Sequence, residues 1–166
     1  IRSRDAERDI ATFMEAKRGA VLLANRYDGI DLPDDSCRLV VLTGLPAATH
    51  LQERFLHDTL GARRVLAERI RTRVVQGAGR CTRNAQDYAA VIVRGSRLSD
   101  FCARDETLRA MHPELQAEFR FGLDNSERAD VDLLELLDAF LKQDSDWLEA
   151  DGDIREELLA YVPPLI

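Results

Sequence analysis

Residues 76–83 read Gln-Gly-Ala-Gly-Arg-Cys-Thr-Arg, the form Q-x-x-G-R-x-x-R, at the end of a helix-patterned stretch and directly before an apolar run. Arg80 and Arg83 stand three apart, so on a helical turn their side chains leave the same face. Gly77 and Gly79 leave room for another backbone or a phosphate to come close. Arginine grips phosphate and carboxylate groups with a planar fork of donors. A guanidinium set against a phosphate in transfer stabilises the charge that grows there in the transition state. Taken alone, the octet reads equally well as a helix end whose arginines sit in surface salt bridges.

A second segment changes that balance. Residues 25–33, Asn-Arg-Tyr-Asp-Gly-Ile-Asp-Leu-Pro, follow directly on the apolar run 20–24. An acidic-Gly-Ile-Asp core after a strand resembles motif V of XPD/DinG-like superfamily-two helicases, and the octet resembles their motif VI. Order, spacing and strand context agree, and residues 87–93 resemble the family strand that follows motif VI. The resemblance covers residues 5–97 and continues more loosely to Ser126.

What the resemblance implies can be stated residue by residue. Arg83 would be the main arginine finger, reaching the γ-phosphate of ATP held on a first motor lobe. Arg80 would be its companion, on the same phosphates or on that lobe's acidic motif. Gln76 would contact the nucleotide site, and Gly29 would give the tight turn facing the cleft. Asp31 would touch the ribose or link the nucleotide to the nucleic-acid track. Asp28 stands where the family commonly has glutamate, keeping the charge with a shorter reach. The chain has no G-x-x-x-x-G-K-[ST] loop and no acidic magnesium box, the features that hold ATP with Mg2+ in such motors. Those belong to the first lobe of the family, as do the iron–sulfur cysteines of some members. The function implied is therefore the second RecA-like lobe of an ATP-dependent DNA helicase or translocase, inactive in ATP hydrolysis by itself. Its partners would be the first RecA-like lobe and single-stranded or forked DNA, with DNA favoured over RNA by the resemblance only. Two alternatives are a non-catalytic helicase-like protein-interaction module and a restriction- or defence-associated translocase subunit.

The elements that must position these residues follow from apolar periodicity. Residues 5–17 read as a helix, with Ile10, Phe13 and Met14 at helical spacing. The runs 20–24, 38–43 and 87–93, apolar apart from Arg38, Thr43 and Asp87 at their ends, predict three strands buried on both faces, as in a parallel sheet. Helices are predicted over 50–60 and 62–75, with shorter ones near 98–102, 106–111 and 113–121. Val131, Leu134, Leu137, Phe140 and Leu141 form an apolar stripe, and a last helix is predicted over 154–161 before Pro163-Pro164. Strands alternating with helices give an α/β fold, a RecA-like parallel sheet flanked by helices, with a C-terminal helical extension. Three strands make a thin sheet, and Ile1 is not a start methionine. The sequence is thus read as a lobe lacking its N-terminal part, residues 1–125, followed by an acidic helical extension, 126–166, packed on it.

Charge supports the division. The chain carries a net −7, which argues against a simple nucleic-acid binder. From Ser126 onward there are 12 acidic and 3 basic side chains, whereas residues 63–104 hold 10 arginines against Glu68, Asp87 and Asp100. The arginine-rich middle suits phosphates, and the acidic outer face of the extension would repel nucleic acid. Cys37, Cys81 and Cys102 form no CxxC pair, so no zinc site or disulfide framework is suggested and reduced cytoplasmic thiols fit best. No apolar run approaches the ~18 residues of a membrane span. His50 and His57 are weak metal candidates, His112 precedes Pro113 as a helix-start residue, and Trp147 reads as a packing anchor.

Overall fold

The computed structural model describes residues 6–24, 30, 32, 34–46, 55, 62–81 and 87–161. The chain divides into two compact units, residues 1–94 and 95–166.

In the first unit, helix α1 (Ala6–Glu15) packs near a 3-10 turn at Asp34–Ser36, ahead of strand β1 (Leu39–Thr43). Helix α2 (Arg63–Ala78) packs on β1 and runs on into a 3-10 turn, Gly79–Cys81. Strand β2 (Ala90–Arg94) then pairs with β1 in parallel, from Leu39 opposite Ala90 to Thr43 opposite Arg94. Both strands end on a glycine with positive φ, Gly44 at +72° and Gly95 at +102°. Side chains with a Cβ rarely adopt such angles, so these glycines permit the sharp exits. The core gathers Ile30, Leu32 and Cys81, with Ile10, Phe13, Leu23, Cys37, Val40 and Ala89 packed around them.

The sheet corrects two expectations. The run 20–24 forms no strand. Leu23 packs into the core while Leu22 is 81% exposed, so the run buries one side against the core without joining a ladder. The other two runs are strands but are not covered on both faces. Burial alternates along β1, and Leu39, Val41, Val91 and Ile92 are exposed. A run of β-branched residues signals strand preference and says nothing about which faces will be covered. The described sheet is two-stranded, and the architecture is an α/β parallel sheet flanked by helices. The expected helix over 50–60 lies outside the described residues, apart from Phe55.

The second unit is helical: α3 (Ser96–Cys102), α4 (Asp105–Leu108), α5 (Pro113–Glu127), α6 (Leu133–Lys142) and α7 (Ser145–Tyr161). Leu98, Phe101, Cys102, Leu108, Met111 and Ala117 are buried, each large aliphatic contributing about 2 kcal/mol by leaving water. Helix α5 opens on Pro113 with His112 at the N-cap, where a missing N–H costs nothing. It crosses residue 125 unbroken, so the onset of the acidic stretch is a change of charge within one helix. Helix α6 carries the apolar stripe. The Asp132 carboxylate caps it by accepting the Leu134 N–H at 2.8 Å, and Gln143 closes it in the left-handed conformation. Helix α7 begins nine residues before the expected start at Ile154. The Asp144 carboxylate accepts the N–H groups of Asp146 and Trp147 at 3.1 and 3.2 Å, an N-cap that sets the earlier beginning. Helix α7 packs on α5 and α6, and Trp147 meets Phe140 and Phe121 edge-on at 4.6 and 6.2 Å. Trp147 is thus a packing anchor.

Candidate functional site

The arginine turn begins where α2 tightens into the 3-10 turn, with the Gly79 N–H donating to the Val75 carbonyl. Gln76 lies in the last turn of α2 and is exposed. Arg80 is bonded twice to the segment that precedes β1. Its carbonyl accepts the Leu32 N–H at 3.2 Å, and its guanidinium Nη1 donates to the Ile30 carbonyl. Ile30 and Leu32 are each only 4% exposed, and Cys81, next to Arg80, is fully buried with them. The 25–33 segment and the 76–83 octet, fifty residues apart, are therefore joined at Arg80. Asp28, Gly29, Asp31 and Arg83 themselves lie outside the described residues. The buried Nε of Arg80 has no hydrogen-bond partner among the described residues, a cost of about 1–3 kcal/mol that other contacts must offset.

Below this clasp sits a second polar knot. Arg38 donates to the Asp87 carboxylate at 2.8 Å, to the Tyr88 carbonyl at 2.7 Å and to Asp35 at 2.8 Å. Its guanidinium also lies 4.0 Å from the centre of the Tyr88 ring. The Asp87 carboxylate is fully withdrawn from solvent. Burial works against the Arg38 charge, but the Asp35 and Asp87 carboxylates outweigh it and hold the pKa above the ordinary value. The knot fixes the starts of β1 and β2 beside each other, since the Ala90 N–H also donates to the Arg38 carbonyl at 2.9 Å. Farther along, Arg73 on α2 donates to the Pro46 carbonyl at 2.9 Å and ties the helix to the chain leaving β1. The arginine turn is thus held to Ile30 and Leu32, and α2 to the chain after β1, by hydrogen bonds as well as by apolar contact.

The family model of the helicase C-terminal domain matches residues 2–114. The chain belongs to that family. The matched span contains both the 25–33 segment and the octet, and it supports a helicase C-terminal lobe of the XPD/DinG-like kind. It stops just inside α5 and leaves the acidic helices α6 and α7 outside. No curated protein and no solved structure matches the chain.

Sequence reading singled out Arg80 but not its clasp on Ile30 and Leu32. It missed Arg38 and Asp87, although each is a lone charge at the head of an apolar run, of opposite sign, which is a usable signal for paired strand starts. The two histidine metal candidates, His50 and His57, lie outside the described residues. Among the described residues no cluster of three or more His, Cys, Asp or Glu is placed to hold a metal, and no helix is long and apolar enough to cross a membrane.

Proposed function

We propose that this helicase C-terminal domain acts as the second motor lobe of an ATP-dependent DNA helicase or translocase. The observation that carries the proposal is the clasp at Arg80 inside the family match, which joins Ile30 and Leu32 to the arginine turn. In this reading ATP and its Mg2+ bind mainly to a first lobe. Arg83 reaches the γ-phosphate and stabilises the charge that develops as the phosphoryl group leaves. One terminal N–H of Arg80 is engaged on the Ile30 carbonyl, which fixes the turn. Its remaining terminal donors face the phosphates or the first lobe's acidic motif. Gln76 and Gly29 line the same cleft. Asp31, with Asp28 nearby, passes the state of the nucleotide to the strand-binding track. Phosphate contacts along single-stranded or forked DNA are sequence-independent and weaken as salt rises.

The test is ATP hydrolysis by the full-length protein with and without single-stranded DNA. The expected result is hydrolysis stimulated by the strand, with the stimulation falling steeply between low and moderate salt. An absence of hydrolysis in the presence of DNA and of RNA would overturn the motor reading. The chain would then be a helicase-like module that binds a protein.

A further inference from the structure

Helix α6 is built mostly of apolar residues, yet it buries none of them. Of its ten residues only Glu135, Asp138 and Lys142 are polar, and not one of the ten is buried. Its packing neighbour α7 leaves leucines uncovered as well. Leu134 is 75% exposed, Leu148 63% and Leu159 74%, and Leu133 and Leu141 are exposed with them. An amphipathic helix ordinarily turns its leucines to a core. Apolar surface left open and rimmed by polar groups marks a place where another molecule binds.

Spacing and charge say what that molecule is. Leu134 and Leu141 stand seven apart on α6, two helical turns, and so lie on one side of it. Leu148 and Leu159 stand eleven apart on α7, three turns, and lie on one side of it about 16 Å from end to end. Rows of this kind receive the apolar stripe of a further helix, whose anchors repeat at the same spacing. The surrounding charge is acidic. From Ser126 onward 12 acidic side chains stand against 3 basic ones. Those three, Arg128, Lys142 and Arg155, are each paired with a nearby carboxylate, of Asp130, Asp138 and Asp151. Nucleic acid and anionic lipid carry the same sign as this surface and are repelled, and so is the same face of a second copy of the chain. We propose that the uncovered leucines of α6 and α7 are the docking surface for a basic amphipathic helix of a partner protein. The leucine rows take its apolar stripe out of water. The acidic side chains beside them meet its lysines and arginines, which speeds encounter and sets orientation. The surface lies beyond residue 114, outside the matched helicase domain. It rests on exposure and charge, and it stands whether or not the chain drives a motor.

The experiment titrates the full chain with a synthetic peptide about five helical turns long, with leucines at helical spacing, lysines and arginines elsewhere, and no tryptophan. Trp147 is the chain's one tryptophan. It precedes Leu148 and meets Phe140 of α6, so its emission reports docking at this place. The expected result is a saturable change in that emission, with a Kd that rises as salt screens the charges. Leu134→Ser combined with Leu148→Ser should raise the Kd about tenfold or more. Both leucines are exposed, so this variant should keep the wild-type melting midpoint. Glu135 and Glu149 are exposed too. Glu135→Gln combined with Glu149→Gln leaves the leucines in place and should weaken binding at low salt but not at high salt. The proposal fails if neither pair of substitutions changes the Kd. It fails if a peptide of the same composition with its leucines scrambled off the stripe binds as tightly, or if an acidic peptide with the same stripe does. It fails equally if the chain alone sediments as a dimer that Leu134→Ser with Leu148→Ser dissociates, since a second copy would then be the occupant.

Discussion

The two units hold themselves together by different means. In residues 1–94 the decisive bonds join distant parts of the chain: Arg38 to Asp87 and Arg80 to Ile30, 49 and 50 residues apart. In residues 95–166 many side-chain bonds reach only a turn away, as from Asn125 to the Phe121 carbonyl, and the joining of helices falls to Trp147 and the buried aliphatic residues. A unit tied by buried polar knots fixes the orientation of its loops, which a catalytic turn needs. A unit tied by apolar packing tolerates change at its surface. The family match does not stop at that division: it covers the knotted unit and runs on through α3 and α4 to the start of α5.

The sharpest way to break this contrast is Arg38→Ala. It removes the Arg38 guanidinium from the enclosed Asp87 carboxylate, and removing one partner of a buried pair costs about 3 kcal/mol or more. Urea unfolding should show that loss, and hydrogen exchange should place it in β1 and β2. A loss no larger than that of an exposed pair, about 1 kcal/mol or less, would remove the knot from the account. Trp147→Ala should come next, costing about 2 kcal/mol because the indole is only partly buried and its cavity can partly collapse. Amide exchange should then quicken in α5, α6 and α7 and remain unchanged in β1. Gly152 lies within α7, and a Cβ there would meet nothing within 4 Å. Gly152→Ala should therefore raise stability by about 0.5–1 kcal/mol, seen as a higher thermal midpoint.

The smallest effect depends on pH. Desolvation beside the α5–α7 packing, and then the Glu114 and Asp151 carboxylates, push the Glu118 carboxyl above its ordinary 4.5. The folded chain thus keeps this proton to higher pH than the unfolded chain. The stability from the neutral form is present below 4.5 and is lost as pH rises from there through the raised value. Glu118→Gln should melt slightly higher than wild type at neutral pH and no higher at pH ~3, below both values. The residue keeps an exposed side, so the difference is small, and a gain at both pH values would assign it to packing.

Legibility in the sequence followed the same line between local and distant contacts. The stripe of Leu134, Leu137 and Phe140 announced α6, because the helix follows from the period alone, whereas which residues a neighbour covers does not: Leu134 is 75% exposed. The run 20–24 had the composition of a buried strand, but strand formation needs a neighbour to bond with, and no local pattern reports one. The octet identified Arg80 by type. Its anchorage on Ile30 and Leu32 could not be read, since it depends on how α2 returns to the segment before β1.

The most direct test of the central claim is the turnover number for DNA-stimulated ATP hydrolysis by the full-length protein with Arg83→Ala. A drop of about 10³-fold or more, with little change in the KM for ATP, is the result expected of a finger acting on the transition state. An unchanged turnover number in a variant that still unfolds like wild type would contradict the assignment of the arginine turn to catalysis.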